Sequence, residues 1–231
     1  MIAAAGSGQR LGAGGPKAFV PLAGKPLVEW SIAAFRAAPS VRSIVVACPP
    51  GHVHDLAGSD IGVVDGGGTR AESVSNALAV VGTELVAIHD AARPLVTPEL
   101  IEGVVETLAS DPEASGAIAA TPITDTIKRV APAALTGRNA FSSQGSEIAL
   151  RQVERTLDRD LLWAAQTPQV FRVAALREAL AADPGVVSTA TDEAMIVEAA
   201  GGCVLIHPSP PENLKVTTPL DLRVAELLLG Q

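Results

Sequence analysis

From the N-terminus to about Pro122, short apolar runs alternate with stretches of helical periodicity, and this rhythm limits the chain to few folds. "MIAAA", "SIVVACP", "IGVVDGG", "ELVAIHD" and "SGAIAATP" read as strands. "KPLVEWSIAAFRAA", "TRAESVSNALAVV" and "TPELIEGVVETLAS" read as helices. In the first helix Leu27, Trp30, Ala34 and Ala37 fall at helical spacing. The second has Thr69 as N-cap with Glu72 three residues on, the pattern of a capping box. The third has a Thr cap followed by Pro at the first helical position. The strands are apolar at consecutive positions, so both of their faces are buried. A mostly parallel sheet covered by helices on both sides meets that demand, which places the chain in the α/β class.

The rhythm breaks between about 122 and 166. "APAALTGRNAFSSQGSE" is small and polar and reads as a loop, flanked by "TDTIKRV" and "VERTLDRDLLWAA" as strands of an extended arm. A structureless loop of this length has no place in a compact domain, and an arm packed on a partner chain explains it. Two helical segments follow, "RVAALREALAA" and "TDEAMIVEAA", then a strand "CVLIHP", an extended piece "NLKVTT" and a last helix "PLDLRVAELLL". The expectation is one domain over residues 1–231 with an arm at about 122–166.

Composition narrows the function. The chain has four Phe, two Trp and no Tyr, so its core is aliphatic. A net charge of −8 repels phosphate polymers and anionic membranes, which argues against a nucleic-acid or membrane binder while leaving room for a local basic pocket. No apolar run approaches the ~18 residues of a membrane span. Cys48 and Cys203 sit in apolar runs and are expected as buried free thiols. "MIAAAG" lacks the charged start of a secretory signal, so a cytoplasmic protein is expected.

Chemistry gathers at three early stations. "GSGQRLGAGGPK", Gly6 to Lys17, follows the first strand, where open α/β sheets bind phosphates. It misses the dinucleotide fingerprint, with Leu11 where the third Gly belongs, and it misses the P-loop, because Lys17 lies between Pro16 and Ala18. What remains is glycine backbone with two cations, Arg10 and Lys17, suited to a triphosphate. "DGGGTRAESVSNAL" ends a strand and opens a helix at an anion-ready N-terminus. In "IHDAARP", Asp90 closes an apolar strand where a hard cation or a substrate hydroxyl would meet it, and His89 reads as a satisfied imidazole.

"AAAGSGQRLGAGGPK" resembles the opening signature of sugar and polyol nucleotidyltransferases, A-A-G-x-G-x-R-(L/M)…P-K, whose fold is a Rossmann-like αβα sandwich with a mostly parallel central sheet. With "HDAARP", "DTIKR", "TPQ", "TDEA" and "NLKVTTPLDL" in this order, nearly the whole chain resembles the 2-C-methyl-D-erythritol 4-phosphate cytidylyltransferase family. The resemblance implies that the Gly-rich loop wraps the triphosphate of CTP. Arg10, Lys17 and Lys215 would be the catalytic cations. Ala4, Ala5, Gly6 and Gly8 would lie against the nucleotide, with Gly67, Arg70 and Ser73 on its cytosine side. Asp90 would face Mg²⁺ and the polyol. Arg93, Thr167 and Thr191 would sit at the polyol phosphate, with Asp192 beside them. Thr126 and Arg159 would cross from the arm to the other active site of a homodimer. Two features depart from the family pattern: a first strand that is short, with a weaker floor under the loop, and an arm lengthened around "TGRNAFSSQGSEIALRQ".

The implied reaction is attack of the polyol phosphate on the α-phosphorus of CTP with loss of pyrophosphate. A phosphate monoester has its second pKa at about 6 and is anionic near neutral pH, so no general base is needed. Ribitol 5-phosphate in place of methylerythritol phosphate, and a non-catalytic nucleotide sensor on the same fold, are the two alternatives the sequence leaves open.

Overall fold

The computed structural model describes residues 1–6, 11, 15–52, 56, 60–141 and 147–230, with 132–141 and 147–149 described by backbone alone. Its described strands are β1 (Ile2–Ala3), β2 (Pro21–Leu22), β3 (Lys25–Pro26), β4 (Ile44–Cys48), β5 (Ile61–Asp65), β6 (Leu85–Asp90), β7 (Gly116–Pro122), β8 (Lys128–Phe141), β9 (Glu147–Thr156), β10 (Trp163–Arg172) and β11 (Val204–Pro208). The helices are α1 (Leu27–Ala37), α2 (Arg70–Leu78), α3 (Pro98–Ala109), α4 (Val173–Ala182), α5 (Pro184–Thr189), α6 (Glu193–Ala199) and α7 (Pro219–Leu229).

The continuous apolar runs do what their pattern requires. Every residue of β4 is buried. Ile44, Val46 and Cys48 join one core with Val28, Ile32 and Phe35 of α1 and Ile101, Val104 and Leu108 of α3. Val45 and Ala47 point the other way, into a core with Val74 and Leu78 of α2, Leu176 of α4 and Ile196 of α6. A seven-stranded sheet in the order β11-β7-β10-β6-β1-β4-β5 lies between these two layers. β1 is parallel to β4 and β6, β4 to β5, and β11 to β7, while β10 runs antiparallel to β6. The expected αβα sandwich with a mostly parallel sheet is the fold found.

β1 is as short as its sequence suggests, but it is bonded on both sides. Ala4 N donates to Ala47 O at 2.9 Å, Ala91 N to Ala3 O at 3.1 Å and His89 N to Met1 O at 3.0 Å, so the ladder outlasts the assigned strand. The caps behave as their sequence implies. Thr69 and Glu72 form a full capping box on α2, and Thr97 caps α3 with Pro98 at its first position.

The chain divides into two compact units, one of Met1–Ala120 with Ala165–Gln231 and a second of Thr121–Ala164. The second is an antiparallel ribbon of β8 and β9, pairing from Lys128↔Thr156 to Phe141↔Glu147 with three register shifts.

Several expectations are corrected. β8 runs through much of "APAALTGRNAFSSQGSE", where the sequence reads as a loop. "TPQVFR", which shows no strand pattern between arm and helix, is the inner half of β10, a central strand. Ala37 is exposed, and the buried face of α1 is Leu27, Val28, Ser31, Ile32 and Phe35. Neither cysteine is in a disulfide; Cys48 is buried as expected, but Cys203 is exposed, because it lies at the turn into the edge strand β11.

Candidate active site

The carboxyl ends of β1, β5 and β6 open into one cavity of about 670 Å³. Ala4, Ala5 and Gly6 form one wall as the chain leaves β1, with Lys17 beside them. Gly67, Arg70 and Ser73 form the wall between β5 and α2. Asp90 lies at the end of β6, and Lys215 reaches in from the segment before α7. Arg10 and Gly8 fall outside the described residues. Ala18, Gly68, Thr69, Ala91, Ala92 and Thr217 also line the space, although their sequence pattern does not mark them as site residues.

Each wall has a local cause. Lys17 N donates to Gly6 O at 3.2 Å, which ties the two ends of the Gly-rich loop together. On the opposite wall the Ser73 hydroxyl donates to Thr69 O at 2.9 Å and accepts from Gly67 N at 3.0 Å, so it fastens the strand-to-helix turn. Gly66 packs so closely that a Cβ there would collide with the Ala5 side chain and stand 3.0 Å from Cys48 O. Gly66→Ala is therefore expected to cost about 1–3 kcal/mol by overpacking, read as a lowered denaturation midpoint. An unchanged midpoint would show that the two walls need not touch.

A line of alternating charge crosses the cavity floor. Lys215 Nζ lies 2.6 Å from Asp90 Oδ2, Arg70 Nη2 lies 3.2 Å from Asp90 Oδ1, and Arg70 is paired in turn with the carboxylate of Glu193. Burial alone would raise the Asp90 pKa, but the charges of Arg70 and Lys215 outweigh it and hold the carboxyl at about 2. Glu193 is the reverse case. Its burial outweighs the attraction of Arg70 and lifts it to about 7.

Behind Asp90 the polar groups are buried and bonded to one another. His89 is fully buried, and desolvation lowers its pKa to about 3, so the ring is neutral. Its Nε2 lies 3.1 Å from Arg93 O. A carbonyl only accepts, so Nε2 carries the proton and Nδ1 accepts from the Thr167 hydroxyl at 3.0 Å. Thr167 Oγ1 in turn accepts from Asp90 N at 3.1 Å. His89 is the satisfied imidazole its position suggested.

The structure thus brings Ala4, Ala5, Gly6, Lys17, Gly67, Arg70, Ser73, Asp90 and Lys215 to one cavity, but not Arg93, Thr167 or Thr191, which were expected at the polyol phosphate. Thr167 is buried with its proton committed to His89, a place from which it orients Asp90. Arg93 is buried, and its Nη1 donates to Asn213 O at 2.7 Å, anchoring the segment that carries Lys215. Thr191 is exposed ahead of α6, and Asp192 caps that helix while accepting from Gln169 Nε2 at 2.8 Å. Thr126 and Arg159 belong to the ribbon unit, where Arg159 Nη1 donates to Thr124 O at 2.6 Å. Glu193 enters the sequence reading only as a letter of "TDEA", with no local signal that links it to the site.

Backbone donors and paired cations over the carboxyl ends of a Rossmann-like sheet suit the transfer of a nucleotide between phosphates, and the class they define is that of the nucleotidyltransferases. Comparison with known proteins narrows the class. Residues 1–231 match the family model IspD, 2-C-methyl-D-erythritol 4-phosphate cytidylyltransferase. Curated relatives of that name include one from Gloeobacter violaceus, 39% identical over 99% of this chain and 94% of its own, and one from Parasynechococcus marenigrum, 41% identical over 100% and 96%. The crystal structure of the Thermus thermophilus enzyme of that name superposes with a TM-score of 0.76 at 30% identity, covering 100% of this chain and 98% of that one. The chain belongs to the 2-C-methyl-D-erythritol 4-phosphate cytidylyltransferase family.

Proposed function

We propose that this cavity binds CTP and transfers its cytidylyl group to the 4-phosphate of 2-C-methyl-D-erythritol 4-phosphate, releasing pyrophosphate, as a step of isoprenoid precursor synthesis. The observation that carries the reading is the convergence of Lys17, Arg70, Asp90 and Lys215 on one cavity beside the glycine backbone of the first loop. The triphosphate would meet Gly6 and Lys17 at the two described ends of the Gly-rich loop, and the family resemblance gives Arg10, outside the described residues, as a further cation. The cytosine faces Gly67, Arg70 and Ser73. Lys17 and Lys215 neutralise the α-phosphate as charge builds on its oxygens, so positioning and electrostatics supply most of the acceleration. The attacking phosphate is already ionised, and His89, buried and bonded to Arg93 O and the Thr167 hydroxyl, is not among the cavity's lining residues.

Mg²⁺ fits the donor set in one way. Asp90 is the sole carboxylate among the described lining residues, and no group of three or more His, Cys, Asp or Glu gathers around a metal site among the described residues. The protein would therefore supply Asp90, with the nucleotide phosphates as the remaining ligands, as Mg²⁺ is commonly held. When bound, the ion neutralises phosphate charge and aligns the phosphates.

The working enzyme is read as a homodimer. A two-stranded ribbon is marginal in water by itself, yet the arm unit exposes Val130, Val153, Trp163 and Leu161, the last at 80%. A second copy covering them would bring Thr126 and Arg159 to its active site. Light scattering at micromolar concentration is expected to give a particle of two 23.5-kDa chains, and Val153→Asp with Leu161→Asp a monomer. A monomeric wild type would remove the role of both arm residues. No helix among the described residues is long and apolar enough to cross a membrane, and two cysteines outside any disulfide suit a reducing compartment such as the cytoplasm.

A substrate panel tests the function. Each of four nucleoside triphosphates is mixed with Mg²⁺ and either methylerythritol phosphate or ribitol 5-phosphate. Pyrophosphate release is expected chiefly from CTP with methylerythritol phosphate. Preference for ribitol 5-phosphate would reassign the polyol, and no release with any pair would leave only nucleotide binding.

A further inference from the structure

We infer that Glu193 is a positioning residue for the nucleotide, acting through Arg70. The inference rests on the reading of Arg70 as a nucleotide contact and adds the group that holds it. Glu193 is 1% exposed, at the start of α6. Its Oε1 accepts from Arg70 Nη1 at 3.1 Å, and its Oε2 faces Arg70 Nη2 at 3.0 Å as an ion-pair contact. One carboxylate thus hydrogen-bonds one terminal nitrogen of the guanidinium and stands against the other as an ion pair, which sets the direction of arginine's planar head.

The grip is itself rigid. Ala194, Ile196 and Val197 root α6 in the core, and the bond from Gln169 to Asp192 fixes the turn before it. Arg70, by contrast, stands at the first residue of α2 with its side chain partly open to the cavity. A long side chain in that place loses considerable rotamer freedom on meeting a ligand, and a buried anchor removes that cost in advance. The effect spreads along the charge line. With Arg70 fixed against Oδ1 of Asp90, the Asp90 carboxylate is oriented, and Oδ2 is the oxygen presented to Lys215.

Stability does not explain this acid. Burial disfavours its ionised form by more than Arg70 favours it, and such pairs are often replaceable by apolar residues without loss. What the carboxylate provides is a fixed direction for Arg70.

The test is a set of variants read by calorimetric CTP binding without polyol and by steady-state kcat and KM. Glu193→Ala is expected to weaken CTP binding and raise KM for CTP roughly tenfold, about the worth of one charge-assisted hydrogen bond, with kcat within about threefold of wild type. Glu193→Gln, which keeps the shape and one acceptor, is expected to recover most of the loss. It also serves if the alanine variant fails to fold. In Arg70→Ala, adding Glu193→Ala is expected to change CTP binding no further. Additive losses in that double variant, or wild-type CTP binding in Glu193→Ala, would overturn the proposal. The binding arm needs no turnover. A wild type that binds CTP but transfers nothing would sink the functional reading while leaving this inference to be judged by its own variants.

Discussion

Replacing Lys215 with alanine is expected to lower kcat for cytidylyl transfer by roughly 10²–10³, about 3–4 kcal/mol in the barrier, as for loss of an oxyanion donor. The side chain is 46% exposed, so the fold is expected to survive the change, with a modest fall in melting temperature from loss of its pair with Asp90. Its segment is held independently of its charge. Val216 N donates to Ala92 O at 2.8 Å, Asn213 is gripped by Arg93, and Thr217 and Thr218 N both donate to Asp221 Oδ2. What disappears is a positive charge aimed over Asp90 into the cavity. Lys17→Ala is expected to show a fall of the same order, since Lys17 stands beside Gly6 on the facing wall. Pyrophosphate release at saturating CTP and polyol phosphate measures both. Turnover within about threefold of wild type would remove either lysine from the transfer step.

Asp90→Asn is the second large change. Asp90 is the carboxylate on which Lys215 and Arg70 both converge, with its side chain only 13% exposed. Neutralising it releases both cations from their positions, and kcat/KM is expected to fall by roughly 10²–10³. Stability changes with a defined pH dependence. The folded pKa of about 2 lies below the ordinary value of 3.8. The ionised carboxylate therefore contributes stability above about pH 4, and that contribution is lost as pH falls through about 2. Denaturation of wild type and Asp90→Asn is expected to differ by on the order of 2 kcal/mol at neutral pH and to converge toward pH 2. A difference that held constant down to pH 2 would mean that the pairs at Asp90 do not stabilise the fold.

The sandwich was legible because its strands are apolar on both faces and its helices carry their caps in the sequence. The cavity was legible in part for a related reason: Gly6, Gly67 and Asp90 all follow or close apolar strands, and ligands gather at that end of such sheets. β10 escaped notice because polar residues hide it. Gln166, Thr167 and Gln169 are buried in a central strand, which an apolar pattern does not foretell. Partners far away in sequence hold them there: Gln166 Oε1 accepts from Ser209 Oγ at 2.9 Å and from Asn213 Nδ2 at 2.7 Å, Thr167 bonds to His89, and Gln169 Nε2 donates to Asp192 at 2.8 Å. β8 escaped because its ladder with β9 is a backbone feature, and small residues such as those of "APAALTG" carry little strand signature. Ala37 is exposed although it shares the helical spacing of Leu27, because alanine marks a buried face weakly. Glu193 was invisible for a simpler reason. Its partner Arg70 is 123 positions away, and no local pattern joins an acid on one short helix to an arginine on another.

Direct transfer between two anions, held by lysines and with no nucleotidylated protein between, is the claim on which the rest depends. Isotope exchange between labelled pyrophosphate and CTP, with Mg²⁺ and without polyol phosphate, tests it most directly. A protein nucleophile such as either lysine would form a covalent cytidylyl intermediate and support exchange without the acceptor. The expected result is no exchange above background in the absence of methylerythritol phosphate, with brisk pyrophosphate release once it is added. Exchange without acceptor, at a rate comparable to turnover, would contradict direct attack and make one of the cavity's side chains the first acceptor.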